Sequence, residues 1–156
     1  MPAKGRSKRI SRTQIAVVCI TASEKLVVVQ HTTNDGAIRY HAVQGQAELN
    51  EDGNAAAVDE VLKGYQDRFA FAEYQISSSG DSEVLQCGSM DDGTVVMLLT
   101  QCSFSRRTFP TTRSVKPGPA VLMEVPLSVL DDKKVAKGQA LALGMQTART
   151  NGYLPE

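Results

Sequence analysis

The sequence contains no tryptophan and only eight other aromatic rings among 156 residues. Stacking platforms for single-stranded nucleic acid would have few rings to build on. Long apolar runs are missing as well. The longest, IAVVCI at 15–20, has six residues, against the roughly 20 that a membrane-spanning helix requires. Net charge is also missing, because Lys+Arg and Asp+Glu are equal at 17 each. No global field therefore selects a polyanionic partner. Cysteine is scarce and odd in number: Cys19, Cys87 and Cys102. No pair has metal-ligand spacing, and each lies in or beside an apolar stretch, where a buried reduced thiol is the usual role. The sequence thus reads as a protein of a reducing compartment, the cytoplasm.

What is present is ordinary for a globular domain: 42% apolar and 22% charged residues. That composition excludes a mostly disordered chain, and the length suits one domain. Charge is unevenly placed. Residues 1–13 hold Lys4, Arg6, Lys8, Arg9 and Arg12 and no acid, leaving 12 basic residues against 17 acids in the remainder. Residues 1–12 read as a basic flexible tail, 13–150 as a single domain, and 151–156 as a C-terminal tail. The basic tail is a candidate contact for RNA or protein, but cations without aromatics give only salt-sensitive, sequence-blind attraction. No continuous apolar segment follows it, so the sequence is read as having no signal peptide and no membrane partner.

Segments 14–21 (QIAVVCIT) and 25–30 (KLVVVQ) are rich in β-branched residues and predict a hairpin of two buried strands. Asp35-Gly36 marks a turn into a third strand, 37–43. Residues 44–53 are polar and read as a loop. Asn54 then caps a helix of about 15 residues, whose Val58, Val61, Leu62, Tyr65 and Phe69 fall on one apolar stripe. Gly64 within it costs about 1 kcal/mol relative to Ala. Strands are expected at 69–76, 83–88 and 94–104, with a hairpin turn at Asp91-Asp92-Gly93. Residues 105–119 are irregular, with three prolines and four basic residues. A strand at 120–125, a short helix from Pro126 to Leu130 and a final helix at 133–149 complete the order. A mixed sheet with helices on its faces follows, of α/β or α+β class.

The stretch from Gly45 to Asp67 resembles the signature of the Nudix superfamily. That signature runs Gly, five residues, Glu, seven residues, then Arg-Glu-aliphatic-any-Glu-Glu-any-Gly-aliphatic. Here Gly45, Glu51 and Glu60 keep the spacing without a gap, and Glu48 falls where many members carry a further Glu. MEVPLSVL at 123–130 is similar to the strand-Pro-Leu-helix element that often closes the Nudix sheet. The resemblance covers roughly 13–145. It implies an α/β fold, a Nudix-like α/β/α sandwich with a mixed β-sheet, and a nucleotide or other diphosphate-containing small molecule as ligand. The implied reaction is attack of water on a diphosphate, aided by Mg2+ or Mn2+. Glu51 and Glu60 are the surviving catalytic candidates, and Glu48, Glu51 and Glu60 the candidate metal ligands. Gly45, Lys63 and Arg39 are the candidate ligand-binding residues.

The departures from the signature fall on its chemistry. Asp59 stands for the Arg, Lys63-Gly64 for the paired glutamates, Gln66 for the Gly and Asp67 for the last aliphatic residue. Hard cations need several oxygen ligands. An ammonium repels such a cation and glycine supplies no side-chain ligand, so the metal is expected to be held weakly or lost. Asp59 and Lys63, at i and i+4, predict an ion pair worth about 0.3–0.5 kcal/mol. Lys63 could otherwise act as a fixed cation for a phosphate. Asp67, two turns from Glu60, lies about 10 Å along the helix and cannot share its metal ion. Three functions remain open: a binding domain with slow or absent hydrolysis, an active hydrolase with relocated ligands, and a non-catalytic RNA- or protein-binding module. His31 and His41 read as turn or surface residues. Arg106, Arg107, Arg113 and Lys116 read as a solvated basic loop, and Met90, Met97 and Met123 as core filler.

Overall fold

The computed structural model describes residues 12–48, 54–68, 74–106 and 120–155. Its element order is β1 (Arg12–Thr21), β2 (Leu26–Thr32), β3 (Ile38–His41), β4 (Val43–Glu48), α1 (Asn54–Arg68), β5 (Tyr74–Ser77), β6 (Val84–Ser89), β7 (Val95–Arg106), β8 (Ala120–Val125), α2 (Leu127–Leu130), β9 (Ala136–Lys137) and α3 (Gln139–Thr150). Among the described residues no helix is long and apolar enough to cross a membrane.

The central strands are β1 and β7, which run parallel from Ile15↔Val95 to Cys19↔Leu99. Both are continuously apolar because both faces of the sheet are covered. Alternation sorts β1 into two cores. Ile15, Val17 and Cys19 face one cluster with Ala57, Val58, Val61 and Leu62 of α1. Ala16, Val18 and Ile20 face the other, with Ala140, Leu141, Met145 and Ala148 of α3. One helix on each face of a mixed sheet makes an α/β/α sandwich. The edges are built by antiparallel partners: β4 on the first half of β1, β2 at its end, β3 and β8 on β2, and β5 and β6 on β7. The short β9 runs parallel to β3. Glycine is required at the turns of Asp35-Gly36 and Asp92-Gly93, where φ is +87° and +91°.

Three boundaries differ from the sequence reading. The 37–43 strand is two strands, β3 and β4, and β4 continues to Glu48 through residues read as loop. Its register against β1, from Arg12↔Glu48 to Val17↔Val43, supplies backbone partners that its polar side chains do not advertise. The last helix begins at Gln139, because 133–138 form a turn, β9 and the Gly138 N-cap. Residues 69–73 of the expected fourth strand and the basic loop at 107–119 lie outside the described residues, as do Glu51 and the tail through residue 11.

The three methionines do fill the core. Met97 is fully buried, and Met90 and Met123 pack against the α3-side cluster. An extra residue on β7 follows Leu99, where Gln101 takes φ +52° and Cys102 returns to pairing with Thr21. Cys102 thereby joins Cys19 in the α1-side core. Burial pushes the Cys19 thiol well up, and the adjoining Cys102 adds to the shift. Cys19 remains a protonated, inert thiol at neutral pH.

Candidate functional site

β4 and α1 are held together by small residues. Gly45 pairs with Ile15 and faces the helix, where a Cβ would lie 3.4 Å from Val61 Cγ1. Gly45 thus shapes a strand-to-helix contact and not a loop. Beside it lies an open cleft of about 380 Å³, lined by Gln14, Gly45, Gln46, Glu60, Val61 and Gly64. Glu60 and Gly64 share one helix face at i and i+4. Among the described residues a side chain at position 64 would meet nothing within 4 Å of its Cβ, so glycine leaves that wall bare.

Arg12, the first residue of β1, bridges two of the residues that line this cleft. One terminal nitrogen of its guanidinium donates to Glu60 Oε2 at 2.5 Å and to the Gln46 carbonyl at 2.8 Å. It therefore ties α1 to β4. The two side chains are 49% and 46% exposed, so the pair adds at most about 1 kcal/mol of stability, while both groups stay open to a ligand. Sequence reasoning had left Arg12 in the basic tail. The signal available was its position three residues before the apolar run of β1, in phase with Gln14.

The expected Asp59–Lys63 pair does not form. Asp59 accepts a hydrogen bond from Ser78 Oγ at 2.9 Å instead, because the loop after β5 offers a hydroxyl beside the helix. Lys63 is exposed on α1 and is not among the residues lining the cleft. Glu48 is exposed at the end of β4 and is the cross-strand partner of Arg12. Among the described residues no three acidic, histidine or cysteine side chains converge to hold a metal ion. The donor set does not fit one: Glu60 is engaged by a guanidinium, and the next cleft-facing position on its helix has no side chain.

Arg39 is not brought to this cleft. It lines a second one of about 450 Å³ with His41, Gln44, Asp91, Asp92 and Gln139. The two clefts are neighbours, since Gln14 Nε2 on the rim of the first donates to Gln44 Oε1 on the rim of the second at 3.4 Å. His41 packs tightly on Gly138, where a Cβ would lie 2.9 Å from its Nδ1. Its pKa is lowered, first by burial and then by the charges of Arg39 and His31. The imidazole is accordingly kept neutral at physiological pH.

No protein-family model matches the sequence, and no curated protein matches it. Solved structures do match the fold. An ADP compounds hydrolase superposes with a TM-score of 0.50 at 15% identity, over 94% of this chain and 78% of its own. A NUDIX hydrolase from Nitrosomonas europaea gives 0.49 at 13% identity, over 92% of each chain. The architecture and the first of these matches define the class: the chain has a Nudix-like fold, an α/β/α sandwich around a mixed sheet. Within that fold, Gly45 and Glu60 border one cleft.

Proposed function

We propose that the chain binds a nucleotide or another diphosphate-containing small molecule in the cleft between β4 and α1, with metal-dependent hydrolysis weak or lost. One observation carries this reading: the Glu60 carboxylate is bonded to Arg12, and the cleft wall one helical turn on is Gly64. A divalent ion needs several free oxygens at once, and this wall offers one that is already paired. The Nudix-like fold supports the ligand class. The contact between Gln14 and Gln44 lets a longer ligand continue from the first cleft toward Arg39 and His41. Lys63, exposed nearby on α1, is a second cation for the phosphates. Its cellular place in this reading is the cytoplasm, on the strength of three unpaired thiols, two of them buried.

The test is a panel of nucleoside diphosphate derivatives with Mg2+ or Mn2+, run on the wild type beside Lys63→Glu/Gly64→Glu. The wild type is expected to bind without fast turnover, and the double variant to gain metal affinity by calorimetry. Rapid magnesium-dependent turnover by the wild type would refute the loss of hydrolysis.

A further inference from the structure

We propose that Arg12 is the resident cation of this cleft: its guanidinium takes the place at Glu60 that a divalent ion would need, and it presents N–H donors to the phosphate oxygens of a ligand bound without metal. The inference rests on the diphosphate-binding reading above and deepens it.

The geometry supplies three reasons. First, both hydrogen bonds of Arg12 leave from one terminal nitrogen, to Glu60 and to the Gln46 carbonyl. A guanidinium has five N–H donors in a fixed plane. The other terminal nitrogen and Nε have no partner among the described residues. Their N–H groups are left to donate singly to phosphate oxygens. Second, the group is already oriented. Its two acceptors stand on opposite walls of the cleft, on β4 and α1, so little side-chain freedom remains to be lost on binding. Third, Arg12 settles a local excess of acid. Glu48 lies opposite it in the β1–β4 register and Glu60 is bonded to it. Without the guanidinium, the exposed Glu60 carboxylate would stand on a cleft wall that has no cation among its described lining residues. With it, Glu60 serves as a tether and not as a metal ligand. Unlike a bound metal ion, this cation is part of the chain and cannot be removed by a chelator.

The probe is inorganic pyrophosphate, measured by calorimetry on the full chain in EDTA and in excess Mg2+. Wild-type affinity is expected to agree within about twofold between the two conditions. Arg12→Gln should weaken binding in EDTA by about tenfold or more, the loss of one charge-assisted phosphate contact. Mn2+ binding, followed by electron paramagnetic resonance, should strengthen by about tenfold in Arg12→Gln as Glu60 is freed. That gain should vanish in Arg12→Gln/Glu60→Gln. Thermal midpoints establish that the variants are folded. Pyrophosphate binding that needs Mg2+ in the wild type would overturn the inference and leave the diphosphate reading standing. Binding in neither condition would overturn both. An Arg12→Gln variant unchanged toward pyrophosphate and Mn2+ would also overturn the inference.

Discussion

Gly64 sets protein stability against cleft shape, and Gly64→Ala separates the two. The residue has helical backbone four positions before the end of α1. Glycine in a helix interior costs about 0.5–1 kcal/mol relative to alanine, mainly through unfolded-state entropy. A methyl at position 64 would have no neighbour within 4 Å among the described residues, so no packing strain from them offsets the gain. The variant should therefore be more stable by about 0.5–1 kcal/mol. For a chain of this size that raises Tm by roughly 1–4 °C. The assay is thermal unfolding by circular dichroism, with a urea titration to show that the slope, and hence the unfolded state, is unchanged. The same methyl enters the wall of the 380 Å³ cleft, so pyrophosphate affinity should fall while stability rises. A drop in Tm would refute the view that the helix bears an unfilled position there. A rise in Tm with tighter pyrophosphate binding would refute the view that this bare wall is the ligand's space.

Two further outcomes follow from packing and titration. Gly144→Ala should have the opposite effect from Gly64→Ala, because its Cβ would lie 2.2 Å from Val18 Cγ2 and 2.6 Å from Val18 Cβ. Overpacking of this kind costs about 1–3 kcal/mol or more and outweighs the helix-propensity gain, so differential scanning calorimetry should show Tm lowered by several degrees. His41 has a depressed pKa in the fold, so the unfolded chain takes up its proton first as pH falls. Stability should decline from about pH 6.5, the ordinary histidine value, down to the folded-state value, and be level below it. His41→Asn should remove this part of the slope in urea titrations run across that window.

The sequence made the sandwich legible wherever one residue type dominated. The Val-rich runs of β1, β2 and β7 and the Val58-Val61-Leu62 stripe of α1 depend on local pattern alone, and local pattern is what hydrophobic periodicity reports. β4 escaped because its inward positions are Val43, Gly45 and Ala47, two of them small, alternating with glutamines. Such a strand is defined by its partner and not by its own side chains. The start of α3 was obscured by Val135 and Ala136, which extend the apolar pattern across a two-residue strand. In the site, the motif spacing singled out Gly45 and Glu60, which border one cleft, but it read Gly45 as part of a loop where the structure has β4. It could not locate Arg12, whose bond to Glu60 spans 48 residues. Nor could it foresee that Ser78 would take Asp59 from Lys63, since a hydroxyl brought in by another loop has no trace in helical spacing.

The two-sided burial of β1 gives the molecule a built-in ruler. The strand that carries Arg12 at its mouth sends Ile15 and Val17 toward one helix and Ala16 and Val18 toward the other. A slip by a single residue would invert both layers at once. The position of the guanidinium is thus inherited from the deepest part of the protein and not from the mouth where it is seen. Damage far from the cleft, such as a void opened under Val17, should be felt there as a displaced charge.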